Sequence, residues 1–465
     1  MLTRANAIVA ALLFGVVFVS YAVSPVSQSA DSFWVVPVML NVLSTGHTSL
    51  DGYPQLLREK EYHGVECVTA DYRVVSTSGP LGCPAGSHYY YWYPIGTPFV
   101  ALPLMVAADT AMRILGPPAL RLAGAHIGPV ARAFLQRDYL ASHLLVEVLL
   151  SSIITALSSV LLFLTARLYL GVRGAIVIAL LFAFGTSAWS TASRALWQHG
   201  PAMLMLALAL YLLSLAANRP SLLSWTAAPL VLAYFIRPTS SLSLALVGAY
   251  VFLHHRERFW KWLLLAAVTA APFLAYNLYI YHRPLQSYFT LGLFLAPTAA
   301  NLGHILTAFA GHVLSPSRGL FIFSPFLLFS LAGIWLSFRR HWMTPLVYYL
   351  AAALALHWIV ISDFLYWTAG HCYGPRLFTD VLPLLLFFLI PALLWLRLDD
   401  PRRPISAAFY LCVLVSVFIH YRGAAYWAPY EWNGSQPQVT AEHAWDWRDP
   451  QFLRGVFGTV PPPEP

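Results

Sequence analysis

The chain has 465 residues, of which 59% are hydrophobic and 10% are charged, against roughly 25% charged in an average soluble domain. Water is therefore not its main solvent, and an ordinary soluble globular fold is excluded. The net charge of +8 is spread over single residues and small clusters between apolar runs, which leaves no nucleic-acid footprint.

Taken in chain order, apolar stretches over 6–23, 139–166, 174–190, 200–217, 222–236, 239–254, 262–279, 319–337, 343–361, 376–396 and 404–421 approach the length needed to cross a bilayer. The fold expected is an all-α polytopic membrane protein of about eleven transmembrane helices. The first stretch follows Arg4 and could be a signal peptide, but the residues after its long apolar core make a poor cleavage site. It is read as a retained helix. A cytoplasmic N-terminus puts Arg167 with Arg173, Arg219, Arg256 with Arg258 and Lys261, Arg339 with Arg340, and Arg397 with Arg402 and Arg403 all on the inner side. Every short inner loop is then basic, as the positive-inside rule requires.

That orientation divides the chain into a membrane domain, 1–421, and an external tail, 422–465, whose PPPEP end is expected to be disordered. It also makes 24–138 and 280–318 long external loops. The run 96–115 is apolar enough to be a twelfth span, but a crossing there would invert every later loop, so it is assigned to the outer interface. Cys67 and Cys83 fall in the first external loop and are a candidate disulfide. Cys412 lies in an apolar run and reads as packing. The aromatic clusters Tyr89 to Tyr93, Tyr366 with Trp367, and Tyr426 with Trp427, Tyr430 and Trp432 suit either a headgroup belt or sugar stacking.

The candidate chemistry lies on the outer side. Asp31, in Ser29-Ala30-Asp31-Ser32-Phe33-Trp34, sits just after the first span, where it is either a helix N-cap or a functional carboxylate. Asp51, in Leu50-Asp51-Gly52-Tyr53, is either a turn former or a second acid. Arg237 (Ile236-Arg237-Pro238-Thr239), Arg318 (Ser315-Pro316-Ser317-Arg318-Gly319) and Arg376 (Tyr373-Gly374-Pro375-Arg376) occupy span edges. Arginine is costly there, so each either snorkels to lipid phosphate or binds an anion. His199 and His371 each open a polar edge, and each reads more simply as a hydrogen-bonded interfacial histidine than as a ligand. Glu147 lies inside a span and requires a partner, a histidine or an arginine. Zinc spacings, a Walker motif, a dinucleotide loop and a nucleophile elbow are missing from the sequence, which argues against ATP-driven transport and serine hydrolysis. No cofactor is certain; a divalent ion between Asp31 and His199 is possible but has no spacing to support it.

With these residues in view, the chain resembles the GT-C superfamily of membrane glycosyltransferases, which includes protein O-mannosyltransferases and lipid A aminoarabinose transferases. It looks closest to a poorly characterised bacterial branch. The resemblance rests on the motifs around Asp31, Leu50 to Tyr53, Tyr93-Pro94-Ile95-Gly96, Arg194 to His199, Arg237-Pro238-Thr239, Ser315 to Gly319 and Tyr373 to Arg376. It implies a GT-C-like bundle in the bacterial inner membrane, with interfacial helices in the first external loop and an external active site. It also implies a polyprenyl-phosphate sugar donor and a glycan, lipid or protein acceptor. Asp31 matches the superfamily's acidic catalytic position, with Asp51 as a second catalytic candidate. Arg237 and Arg376 match by location as binders of donor phosphate, joined by Arg318, His199, His371 and Tyr373. The 280–318 loop, restrained by Pro284, Pro297 and Pro316, is expected to close over the donor. Two departures stand out: Ser32 follows Asp31 where many relatives have a second acid, and His199 stands where some have Asp.

The reaction expected is an inverting transfer in which Asp31 deprotonates an acceptor hydroxyl and arginines stabilise the leaving phosphate. The main alternative is a lipid or lipid-linked-sugar flippase without transferase activity. Such transporters usually show paired halves, and no repeat is evident here. An assembly partner that has lost activity is a third reading, consistent with Ser32.

Overall fold

A computed structural model describes residues 4–76, 83–124, 126–289, 301–396, 403–434 and 438–457. The protein is mostly helical, with little sheet. All eleven expected spans are helical, and among the described residues seven helices are long and apolar enough to cross a membrane. Six of the seven coincide with expected spans: Arg4–Ala22, His143–Ala166, His199–Ala216, Arg256–Tyr281, Arg376–Leu396 and Pro404–Ala425. The seventh, Gly96–Ala123, is the run assigned to the interface, and by length and composition it also qualifies as a span. The other five expected spans form shorter apolar helices, such as Val172–Gly185 and Leu346–Ser362.

Packing is dense at the centre and sparse at the periphery. The Arg376–Leu396 helix is almost wholly enclosed, with Phe387 and Phe388 against Phe163, Phe182 and Phe326 in one apolar core. Exposed Leu, Val and Trp side chains, such as Leu264, Val268 and Trp260 on Arg256–Tyr281, face outward. In water such faces would be aggregation-prone; lipid is their natural neighbour.

The segment after the first helix departs from an all-α expectation. It folds as Val35–Thr45, closed by Gly46 in the left-handed conformation, followed by a three-stranded antiparallel sheet. The central strand β1 (Val65–Val68) pairs with β2 (Val74–Ser76) on one edge and β3 (His88–Tyr91) on the other. Cys67 and Cys83 are joined and fasten this sheet. Trp34, Val36 and Met39 bury it against Met105, Tyr139 and Leu196 of the bundle in a second core.

Three helical stretches are broken near the end of the bundle that carries this segment. After Gly185 the chain passes into a π-helix, Ala188–Ala192, before reaching Arg194. At Arg237 the helix Ala227–Ile236 stops because Pro238 disfavours helical backbone in the residue before it, and Arg237 is extended at φ −147° and ψ 117°. Arg376–Val381 is a tight 3-10 turn entered through Gly374, at φ +67°, and Pro375. Each break turns polar side chains out of the helical ladder. These breaks build the site.

Of the 280–318 loop, Ser287–Phe289 and the helix Leu302–Leu314 are described; Pro297 and the PPPEP tail lie outside the described residues, as do Arg397 and Arg402. The start of the loop is docked. The two protons of the Gln286 amide nitrogen are shared among the carbonyls of Tyr91 (2.7 Å), Trp92 (3.1 Å) and Tyr93 (3.2 Å) and Glu66 Oε1 (3.2 Å). Tyr288 and Phe289 are thereby held as a wall of the site, edge-on or tilted against Trp92, Tyr93 and Tyr234.

Candidate active site

A cavity of about 640 Å³ opens where the three breaks meet the first segment, a size suited to a small organic ligand. Asp31, His63, His199, Arg237, His371 and Arg376 all line it. Its remaining wall is mixed and includes Ile361, Phe364 and Leu377 as well as Tyr93, Tyr288 and Tyr430.

The charged groups form an alternating chain. Asp31 Oδ2 accepts from Arg376 Nη2, and Arg376 Nε donates to His199 Nε2 at 3.0 Å. A guanidinium nitrogen has only protons to offer, so His199 Nε2 must be the acceptor and its proton must sit on Nδ1. That Nδ1–H donates to Asp380 Oδ1, while Arg237 Nε donates to Asp380 Oδ2. Arg237 Nη1 reaches Gln198 Oε1 at 3.3 Å. Arg237 Nη2 makes no hydrogen bond among the described residues and belongs to a side chain on the cavity wall. The Arg376 guanidinium also lies 4.1 Å from the centroid of the Trp197 ring, a cation–π contact that fixes its plane. Two arginines and two carboxylates thus balance, with a neutral imidazole between them.

Burial pushes the Asp31 carboxyl up, but the Arg376 charge outweighs it, helped by the Arg376 hydrogen bond and by the nearby His63 and Tyr93 side chains, and holds the group well below the usual carboxylate range. Asp31 is therefore an anion at neutral pH. The opposite happens at Tyr93, where burial and then the Asp31 charge raise the phenol well above its ordinary value, so it stays a neutral donor. His63 is raised by its interaction with Asp31, against the effect of burial.

The structure separates the sequence candidates. It gathers Asp31, His199, Arg237, His371 and Arg376 at one cavity. Asp31 is not an N-cap: the following helix begins at Val35, its cap residue is Trp34, and no side chain caps it. Asp51 is not at the cavity; its carboxylate accepts from the Tyr89 amide (2.8 Å) and pairs with His88 (2.7 Å), so it braces β3 in the way a turn residue does. Arg318 is also absent from the wall. Its buried guanidinium donates to the carbonyls of Thr368 (2.6 Å), Ser317 (2.8 Å) and Gly370 (3.1 Å) and to the side chains of Gln451 (2.8 Å) and Asn433 (2.9 Å). It ties the C-terminal segment to the loop before Arg376. Tyr373 is buried behind the site, donating to the Ile419 carbonyl at 2.7 Å. Glu147 is satisfied by Ser29, Ser32 and the Leu196 amide rather than by a histidine or arginine. Ser32, the departure from the acidic pair, is one of the groups that hold it.

Compared with protein-family models, curated proteins and solved structures, the chain matches none. The reading of this site therefore rests on its own geometry.

A divalent ion between Asp31 and His199 does not fit that geometry. Arg376 stands between the two, donating to each, so a cation there would meet a guanidinium. Among the described residues, no group of three or more His, Cys, Asp or Glu side chains is placed to hold a metal. Asp380 is the main residue missed from the sequence. It was legible as a lone acid in the apolar run Leu377 to Leu386, by the same rule that singled out Glu147.

Proposed function

We propose that the protein is a membrane glycosyltransferase that moves a sugar from a lipid-linked phosphate to an acceptor hydroxyl. The observation that carries the reading is that one cavity is lined both by an ionised carboxylate, Asp31, and by Arg237, whose Nη2 makes no hydrogen bond among the described residues. Asp31 accepts a hydrogen bond from the acceptor hydroxyl and increases its nucleophilicity as it attacks the anomeric carbon. Arg237 Nη2 and the Arg376 guanidinium take up the negative charge that grows on the departing phosphate, in a site screened from bulk water. The wall at Ile361, Phe364 and Leu377 suits the first isoprenoid units of a polyprenyl carrier, and Tyr93, Tyr288 and Tyr430 suit a sugar ring. A single carboxylate on the attacking side agrees with inversion at the anomeric carbon. In this reading the cavity opens to the external side of a bacterial inner membrane, and the N-terminus is cytoplasmic.

The test is transfer by the purified protein in nanodiscs, given a panel of radiolabelled polyprenyl-phosphate sugars and membrane extract as acceptor. Wild type should label a product, and Asp31→Asn should lower the rate by at least about 10²-fold while remaining folded. Retained transfer in folded Asp31→Asn removes Asp31 from the chemistry. Movement of a lipid-linked sugar across the bilayer with no transfer favours the flippase instead.

A further inference from the structure

The Asp31 carboxylate is well placed to hold an acceptor hydroxyl but is a weak final resting place for its proton, because Arg376 is already bonded to it. A second group is needed. His63 Nε2 lies 3.8 Å from Asp31 Oδ1, the oxygen that Arg376 leaves open, and His63 also lines the cavity. Its side chain is 64% exposed whereas that of Asp31 is 25% exposed, so the two groups lead from the cavity interior towards water.

The loop that presents His63 is held in an unusual shape. Glu61 (φ +47°), Tyr62 (φ +57°) and Gly64 (φ +71°) all have left-handed backbone around it. Two of these are not glycine, a conformation that costs energy and persists only where surrounding structure enforces it. That enforcement comes from both sides. Trp34 Nε1 donates to the His63 carbonyl at 2.7 Å, the Trp92 amide donates to the Gly64 carbonyl at 3.1 Å, and Tyr62 stacks on Tyr89. Tyr62 packs against the core around Trp34 and Tyr93, while the His63 side chain is 64% exposed, so the packing that fixes the loop also fixes the imidazole in front of Asp31.

We propose that His63 is the proton relay of the site, taking the acceptor's proton from Asp31 and releasing it to solvent. This rests on the transferase reading. In the step, the acceptor O–H bond breaks as the acceptor oxygen bonds to the anomeric carbon, and the bond from that carbon to the phosphate oxygen breaks with its electron pair going to phosphate. The proton passes through the Asp31 carboxylate to His63 Nε2, and the imidazolium then loses a proton to water. No oxidant or further reactant is required. The groups facing His63 are Asp31, with Arg376 behind it, and Tyr93 from the cavity; its own loop carries Lys60 and Glu61. Asp31 is the partner that raises the imidazole, so only a minority of His63 is neutral at the ordinary histidine pKa of about 6.5.

Three measurements test the relay. Histidine NMR in nanodiscs should show one imidazole titrating above about 6.5 that disappears in His63→Gln and titrates lower in Asp31→Asn. The wild-type transfer rate should rise with pH through that same value. His63→Ala should lose this limb and about 10- to 100-fold in rate, within the span of general acid–base catalysis, and added imidazole should restore part of the rate. A His63→Gln protein with wild-type rate and an unchanged acidic limb overturns the relay while leaving the transferase reading intact. A rate loss in His63→Ala that imidazole does not rescue overturns it too and makes the loop merely structural. If wild type transfers no sugar at all, both readings fall together.

Discussion

Asp380 gives the sharpest test of the site because its ion pair can be measured without knowing any substrate. Its side chain is 1% exposed and that of its partner Arg237 is 10% exposed. Two unit charges about 4 Å apart are worth about 4 kcal/mol at an effective dielectric of about 20, and removing one member of a buried pair typically costs about 3–5 kcal/mol because the other is stranded. Asp380→Asn keeps the shape but leaves Arg237 with only the Gln198 oxygen, and it withdraws the anion that His199 Nδ1 points at. The expected loss is about 3 kcal/mol in reversible unfolding by sodium dodecyl sulfate from mixed micelles. Arg237→Met should lose a similar amount. The double variant should lose little more than either, because no charge is left stranded, giving a coupling energy of about 2–3 kcal/mol. Single losses under about 1 kcal/mol, or losses that add within about 0.5 kcal/mol, would refute the buried-pair argument and with it the electrostatic account of the cavity.

Trp197→Leu removes the ring beneath Arg376; a cation–π contact of about 0.5–2 kcal/mol corresponds to a roughly 2- to 30-fold weaker apparent donor affinity in the transfer assay, with the fold unchanged by circular dichroism. Gly96 abuts the Phe235 carbonyl and the Ile236 nitrogen, where a Cβ would collide with backbone just before Arg237; Gly96→Ala should destabilise by about 1–3 kcal/mol in the same unfolding assay. Because the Asp31 carboxyl is depressed in the folded protein, the pair with Arg376 contributes its full stability above the unfolded carboxyl value of about 3.9 and loses it only as pH falls through the folded value. The stability difference between wild type and Asp31→Asn should therefore shrink in strong acid, and in the neutral range it should be larger below the raised His63 value than above it, because the Asp31 charge that raises His63 is missing in the variant. Reducing the Cys67–Cys83 bond frees the loop it closes in the unfolded chain and should cost about 2–4 kcal/mol, seen as earlier proteolysis of the first segment in reductant.

The apolar helices were readable because long apolar runs are more than a soluble core would need: all eleven runs are helical, and six of them are among the seven described helices long and apolar enough to cross a membrane. The small sheet was not, since Val65–Val68 and His88–Tyr91 are four residues each and a run that short has no decisive period. Arg237 and Arg376 were found by their cost at a span edge, and Arg318 was marked by the same signal. What separates them lies far away in sequence: Asn433 and Gln451 reach back to satisfy Arg318, and no local pattern announces it. Asp51 and Asp31 looked equivalent as acids after the first span, yet Asp51 turns to the Tyr89 amide while Asp31 meets Arg376. His63 carries no motif at all. Its place is set by Trp34 and by β3, so only the folded first segment shows it.

The Gln286 amide has a reach beyond the wall it holds. One side chain bonds three successive carbonyls at the end of β3 and also Glu66 on β1, the neighbour of the bridged Cys67. The disulfide, the sheet and the loop bearing Tyr288 are thus linked end to end, although 221 positions separate Cys67 from Tyr288. Slack introduced at the sulfur end would reach the Tyr288 ring at the cavity wall through Glu66 and Gln286.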